Sequence, residues 1–246
     1  PRAIKVPMGQ LVVDSALAIE NIKRAKKTLD NLRLVDLSSK EEKQFDYQEG
    51  LIIEKNAERA IDPILADEQF DAAAAKWDAV RKSEYQPSRQ KATLARMELL
   101  LKRKEITPEE AINDLENIRF SWRGDKFEFN LLRRLGTLYL EEGRYRDGLD
   151  RLRQAATYFQ KNKEAPQVTQ QMSDAFAKLY LDDAADSLPP VKAIALYDEF
   201  KELTPAGERG DVMIQKLADR LVGVDLLDRA IELLKSQIQF RLKGNE

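Results

Sequence analysis

The chain contains neither cysteine nor histidine. These two absences remove the disulfide framework, the thiolate nucleophile, the imidazole base and the Cys/His zinc site together. Any catalysis would have to rest on carboxylates, lysines or hydroxyls. Glycine and proline are sparse, at 10 and 9 of 246 residues, and aromatics make up 7%. With 43% hydrophobic and 34% charged residues, the mix suits a soluble helical protein rather than a disordered one. Charge of one sign is also lacking: 41 basic against 43 acidic residues leave a formal −2, so no global field points to nucleic acid or an anionic membrane. No apolar run approaches the roughly 18 residues of a membrane span, and no signal peptide is visible. The missing cysteines lean toward an oxidising compartment such as a periplasm. The chain opens on Pro1, which leaves room for a removed initiator Met, leader or larger N-terminal part. Its length allows one large domain or two small ones.

What the chain does contain is a repeat. The stretch LLRRLGTLYLEEGRYRDGLDRLRQA, residues 131–155, holds Gly136 and Gly148 inside a helical pattern, although each interior glycine costs about 1 kcal/mol relative to alanine. Steps of 41 residues from Gly136 reach Ala95, Ala177 and Ala218, all small. Leu94, Leu135, Phe176 and Leu217 precede these positions, and Glu98, Tyr139, Tyr180 and Leu221 follow three residues later. A second ladder belongs to the helix after each: Ala73, Trp77, Val80; Ala111, Leu115, Ile118; Gly148, Leu152, Ala155; Ala193, Tyr197, Phe200; Ala230, Leu234, Gln237. A small residue followed by bulky ones four and seven further on is one buried helical stripe.

These residues resemble the tetratricopeptide repeat, which carries a bulky residue, Leu-Gly and Tyr on its first helix and Ala, Phe, Ala on its second. Leu132, Leu135, Gly136, Tyr139, Gly143, Tyr145, Gly148, Leu152 and Ala155 match it closely. Ile214, Leu217, Ala218, Leu221, Leu227, Ala230 and Leu234 match it again. The resemblance weakens near Phe176, degenerates before Ala111, and covers roughly residues 50 to 237. Twelve residues separate the two small positions in the pairs Gly136/Gly148 and Ala218/Ala230, but sixteen separate Ala95/Ala111, Ala177/Ala193 and Ala57/Ala73. Four extra residues are about one helical turn, so the buried register survives. Proline marks the longer joins. Thr107-Pro108-Glu109-Glu110 reads as an N-cap, a proline at the first helical position and a Glu closing a capping box. Ser187-Leu188-Pro189-Pro190 plays the same part less cleanly, and Asp62-Pro63 stands between Ala57 and Ala73.

The first sixty residues follow another pattern. Leu11, Ala18, Ala25 and Leu32 lie seven apart with Ser15, Ile22 and Leu29 interleaved, which predicts one amphipathic helix of about three heptads, flanked by Lys23, Arg24, Lys26 and Lys27. Ser38 or Ser39, with Glu41 and Glu42, starts a second helix through Phe45, Leu51 and Ile52. A hairpin covering the open end of a repeat array and a coiled-coil contact to another chain both fit. The expected architecture is an all-α, right-handed, TPR-like α-solenoid of about five helix-turn-helix repeats with an N-terminal helical hairpin. Residues 1–43 form the amphipathic, coiled-coil-like cap, and residues 44–246 the superhelical domain.

Chemical motifs are few. Gly207 to Gly210 lacks the spacing and the Lys-Ser/Thr ending of a nucleotide loop. Leu181 to Asp186 lacks the glycine and terminal glutamate of a calcium loop, so Asp182, Asp183 and Asp186 read as a solvated turn. Arg123-Gly124-Asp125 reads as a connector, with Phe120, Trp122 and Phe129 sealing the junction between two repeats. The resemblance implies that first helices line a groove receiving an extended peptide or a partner helix. By register the groove candidates are Asn130, Arg133, Thr137, Gln171, Asp174, Lys178, Gln215 and Asp219, polar positions suited to peptide hydrogen bonding and capture of acidic side chains. Chaperone-binding members of that family hold a C-terminal carboxylate with Lys, Asn and Arg. Here Arg133, Thr137 and Ala175 stand in those places and do not reproduce the set.

The reading is therefore a non-catalytic scaffold or adaptor binding protein segments, with no small-molecule cofactor, no metal and no nucleic acid. Two others stand beside it. One is a structural or assembly factor acting through oligomerisation of the N-terminal helix, since the chain loosely looks like repeat proteins of bacterial envelope and flagellar motility machines. The other is a carboxylate-based enzyme on a helical-repeat fold. Alanine occupies the Gly136 and Gly148 places elsewhere in the repeat, so Gly136→Leu is expected to disrupt helix pairing and Gly136→Ala to cost little or even stabilise.

Overall fold

The computed structural model describes residues 2–182 and 188–240, which form twelve α-helices and one short 3-10 turn, with no strand among them. The chain divides into two compact units, Pro1–Ser121 and Trp122–Glu246. Unit 1 holds α1 (Arg2–Ala18), α2 (Ile22–Arg33), α3 (Ser39–Ala57), α4 (Pro63–Arg81), α5 (Gln86–Lys102) and α6 (Pro108–Ser121). Unit 2 holds α7 (Lys126–Glu141), α8 (Tyr145–Tyr158), α9 (Ala165–Leu181), α10 (Pro190–Phe200), α11 (Glu208–Gly223) and α12 (Leu227–Phe240). Short connections fold consecutive helices back on one another, as in α3–α4, α7–α8 and α11–α12.

Helix starts follow local side-chain chemistry. Ser38 and Glu41 form a complete capping box at α3, and Thr107 and Glu110 form another at α6, where the Thr107 amide donates to Glu110 Oε2 at 2.8 Å. Asp62 Oδ1 accepts from the Ile64 amide ahead of α4, with Pro63 at the first helical position. Helix ends share one turn. Glu20, Lys104, Gly143 and Asp225 all take positive φ, at 57°, 60°, 72° and 61°. In each turn the next residue's amide reaches back to a carbonyl five residues earlier: Asn21 to Ala16, Glu105 to Leu100, Arg144 to Tyr139 and Leu226 to Leu221. Four helix pairs, α1–α2, α5–α6, α7–α8 and α11–α12, are closed this way.

That turn corrects the N-terminal expectation. The heptad helix from Leu11 to Leu32 is two helices, because Glu20 ends α1 and Asn21 caps α2 by accepting from the Arg24 amide at 3.1 Å. On α2 the expected stripe is right: Ile22, Ala25, Leu29 and Leu32 are buried. On α1 it is not. Leu11, Ser15 and Ala18 are exposed, while Val6, Val13 and Ala16 are buried in a cluster with Phe45 and Ile52. The break lets α1 turn a different face inward than a continuous heptad would.

The repeat ladders hold over most of their length. Leu135, Phe176 and Leu217 are buried with their small neighbours, as are Tyr139, Tyr180 and Leu221. The earliest copy departs: Leu94, Ala95 and Glu98 are only half-buried, and α5 instead buries Ala92, Met97, Leu99 and Leu100. Second-helix stripes are buried as expected through Phe200. In α12, however, Leu234 is exposed and Leu233 is buried beside Ala230 and Gln237. Gln237 belongs inside because its Nε2 donates to Asp211 Oδ1 at 2.7 Å.

Gly136 requires the largest correction. A Cβ placed there would lie 2.6 Å from Leu152 Cγ and 3.0 Å from the Gly148 carbonyl oxygen; one on Gly148 would lie 2.9 Å from the Gly136 carbonyl oxygen. The α7 and α8 backbones come close here, so an alanine Cβ enters only by displacing Leu152 and the Gly148 carbonyl, at a cost that the small residues elsewhere in the repeat do not reveal. Unit 1 reaches its own close approach differently. Trp77, fully buried on α4, lays its indole over Gly50 of α3 and donates from Nε1 to the Tyr47 carbonyl at 3.2 Å. Asp183, Asp186 and Ser187 lie outside the described residues.

Candidate functional site

The connector reading of Arg123-Gly124-Asp125 has a physical basis. Asp125 caps α7 by accepting from the Phe127 and Glu128 amides, and Gly124 takes φ 92°. The Glu128 carboxylate, buried despite its charge, accepts from the Gly124 amide and from Arg123 Nη1. Trp122 meets Phe127 edge-on at 5.3 Å and donates to Asp125 Oδ1. Phe129 sits in the unit 2 core against Phe159. Phe120 does not seal anything: it is 72% exposed, with the Arg119 guanidinium 4.7 Å over its ring.

With α7 anchored in this way, its polar face meets α9. Val168, Met172, Phe176 and Leu179 carry α9 into the core. Gln167, Gln170, Gln171, Asp174, Ala175 and Lys178, offset by three- and four-residue steps, share another face. With Leu140 of α7 they line a hollow of about 520 Å³. Arg133 Nη1 donates to Glu164 Oε2 at 2.9 Å, Thr137 Oγ1 donates to the Arg133 carbonyl at 3.0 Å, and Gln171 Nε2 donates to Thr137 Oγ1 at 2.8 Å. One turn further, Gln170 Nε2 donates to Asp174 Oδ1 at 3.0 Å.

Arg133, Thr137, Gln171, Asp174 and Lys178 thus fall along one α7–α9 surface, while exposed Asn130, Gln215 and Asp219 make no side-chain bond to that set among the described residues. The Arg133 guanidinium is engaged by Glu164, and the exposed Lys178 ammonium has no ion-pair partner among the described residues. Sequence reasoning missed Glu164, Gln167 and Gln170. Gln167 and Gln170 were legible from the three- and four-residue spacing with Gln171 and Asp174, but Glu164 precedes the helix and no periodicity links it to Arg133.

Two other charged clusters are internally paired. A second hollow of about 530 Å³ runs beside the start of α8 and along α10. Its wall carries Arg144 paired with Asp147 at 2.9 Å and Arg146 paired with Glu199 at 2.7 Å. In unit 1, burial, followed by the charges of Glu58 and Glu98, raises the Glu54 pKa above its ordinary value. Lys55 and Lys102 both direct their ammonium groups to Glu58 at 2.7 Å. No group of three or more Asp or Glu suited to a metal ion occurs among the described residues. No helix among them is long and apolar enough to cross a membrane.

No protein-family model matches the chain, and no curated protein does. Solved structures do. A structure from the functional characterisation of Pseudomonas aeruginosa pilF is 18% identical, over 97% of this chain and 93% of that one, with a TM-score of 0.46. Two structures of a Podosopora anserina putative kinesin light chain with nearly identical TPR-like repeats are 13% and 14% identical. They cover 82% and 85% of this chain and 95% and 100% of theirs, each with a TM-score of 0.45. Identities this low transfer no residue roles.

Proposed function

We propose that the chain is a non-catalytic scaffold whose unit 2 holds an extended segment of a protein partner along α9. The observation that carries this reading is the row of glutamine amides over an apolar floor: Gln167, Gln170 and Gln171 above Leu140 and Ala175. A primary amide offers both a donor and an acceptor, the complement of a peptide backbone, and the floor accepts alternate side chains of an extended strand. Asp174 and Lys178 at one end give the segment a direction. Because Arg133 is tied to Glu164, acidic capture rests on Lys178, and backbone pairing dominates over charge.

Panning a random peptide library on the wild type, then titrating the selected peptides against Gln170→Ala and Lys178→Glu, tests the reading. Each variant is expected to weaken binding by about tenfold, the scale of one hydrogen bond or charge contact. Both positions are exposed, so the fold survives. Selected peptides that bind both variants as tightly as the wild type would refute the α9 surface as the binding site.

A further inference from the structure

Helix α1 carries two apolar faces. Val6, Val13 and Ala16 are buried. Roughly half a turn around the helix, Ile4, Met8 and Leu11, with Ile19 in the turn that follows, stand 57%, 60%, 66% and 71% exposed. An exposed apolar row of this kind marks an interaction surface. Arg24 of α2 borders this row, and α1 and α2 carry four further exposed cations, Lys5, Lys23, Lys26 and Lys27; none of the five has an ion-pair partner among the described residues. The acids nearby do not balance them. Glu20 is held by Arg59 at 2.9 Å, so only Asp14, which accepts from the neutral Gln48 amide, and exposed Asp30 offset the cations. Elsewhere the arginines are largely paired, as Arg103, Arg119 and Arg229 are.

We propose that this face docks on an anionic lipid surface. Helix α1 lies in the interface plane, Ile4, Met8, Leu11 and Ile19 enter the headgroup–acyl boundary, and Arg24 with the cations that flank it reaches the lipid phosphates. The net charge of the chain gives no hint of this, because acids on other helices cancel the local excess. Two observations favour lipid over other occupants. The unpaired cations of α1 and α2 complement an anionic surface. Met8, Leu11 and Ile19 of the row, with Val12, also wall a hollow of about 280 Å³ that Arg24 borders. Apolar wall and guanidinium together suit one acyl segment and its phosphate. A second copy of the chain is disfavoured, since two-fold pairing sets the same cations against themselves. A single-helix row of a few hundred Å² also falls short of the roughly 800 Å² per partner of a stable interface.

Vesicle flotation tests the proposal, using phosphatidylcholine alone and phosphatidylcholine with about one third phosphatidylglycerol, at low and high salt. The wild type is expected to float with the anionic vesicles only, and less at high salt. Met8→Glu and Leu11→Glu should each lower the bound fraction about tenfold. Lys23→Gln/Lys27→Gln should lower it at low salt and flatten the salt dependence, and all three proteins should keep the wild-type circular dichroism. Failure of the wild type to float, or variants that float equally well, would overturn the proposal. A doubled mass by light scattering that Leu11→Glu halves, without flotation, would reassign the face to a second copy. Capture of an acidic amphipathic peptide without flotation would reassign it to a protein helix.

Discussion

The two units bring paired helices together by opposite means. In unit 1 the closest contact is a large side chain set into a notch: Trp77 fills the space that Gly50 leaves open, and its Nε1 caps the Tyr47 carbonyl. In unit 2 it is backbone against backbone, with Gly136 and Gly148 each facing the other's carbonyl oxygen. In unit 1 one indole occupies the notch, whereas in unit 2 Leu152 and Leu140 cover the two glycines and the backbones themselves come close. Unit 1 should therefore break on removing atoms and unit 2 on adding them.

Trp77→Ala carries the largest expected effect, a loss of about 3–5 kcal/mol from the lost indole and the cavity left behind, with the Tyr47 carbonyl also orphaned. Chemical denaturation followed by circular dichroism reads it, and a loss under about 1 kcal/mol would mean the indole is not what holds α3 to α4. Gly136→Leu should cost about 3 kcal/mol or more, because the clash includes a carbonyl that cannot rotate away. Gly136→Ala sharpens the comparison. Overpacking of about 1–3 kcal/mol is offset by about 1 kcal/mol of helix propensity, leaving a net loss of about 1 kcal/mol. Trp122 fluorescence reports it within unit 2, and an alanine variant as stable as the wild type would show that α7 and α8 can separate without cost.

How legible this was in the sequence differs from residue to residue. The place of Gly136 was readable, since small residues recur at its register and the flanking Leu135 and Tyr139 are buried as expected. The cost of alanine there was not. Ala218 and Ala230 occupy the same two places in α11–α12 and are both buried, yet helix separation adjusts to the residues at each contact. One pair's tolerance therefore says nothing about another's. The notch at Gly50 was invisible for a related reason: it pairs a glycine with Trp77 across helices, and the ladder assigned Trp77 only to its own stripe. The α7–α9 surface was half legible. Periodicity placed Arg133, Thr137, Gln171, Asp174 and Lys178 on a common side, but the Arg133–Glu164 pair spans 31 residues and follows from the fold alone. The α1 face was misread because a heptad pattern does not reveal the turn at Glu20 that interrupts it.

The shared helix-ending turn allows an exchange between the units. At the left-handed position unit 1 places Lys104 and unit 2 places Gly143, where a Cβ would meet no atom within 4 Å. Only backbone strain then separates the two residues, about 1 kcal/mol for a side chain in that conformation. Lys104→Gly should stabilise unit 1 by roughly that amount and Gly143→Lys should destabilise unit 2 by the same. Thermal melts of both variants check it. Shifts of the same sign would show that the turns are not equivalent.

The smallest effect is confined to unit 1 and depends on pH. Burial foremost, then Glu58 and Glu98, raises the Glu54 pKa above its ordinary 4.5. A carboxyl whose folded pKa is raised favours the fold while protonated, so its contribution is complete below about pH 4.5 and is lost as pH rises through the folded value. Asp46 behaves oppositely. Burial works against its charge, but hydrogen bonds from Arg33 and Lys43 outweigh it and lower the pKa, so its contribution is present above the ordinary carboxylate range and fades as pH falls through the folded value. Glu54→Gln should therefore make unit 1 slightly more stable than wild type at neutral pH, with the advantage vanishing near pH 4. Asp46→Asn should make it less stable at neutral pH, with the deficit shrinking as the pH drops. Trp77 fluorescence during denaturation at several pH values follows both variants, and the Trp122 transition serves as the internal control. A Glu54→Gln advantage that persists unchanged to low pH would trace the gain to packing instead of charge, and unit 1 would then be limited at α3 by steric fit alone.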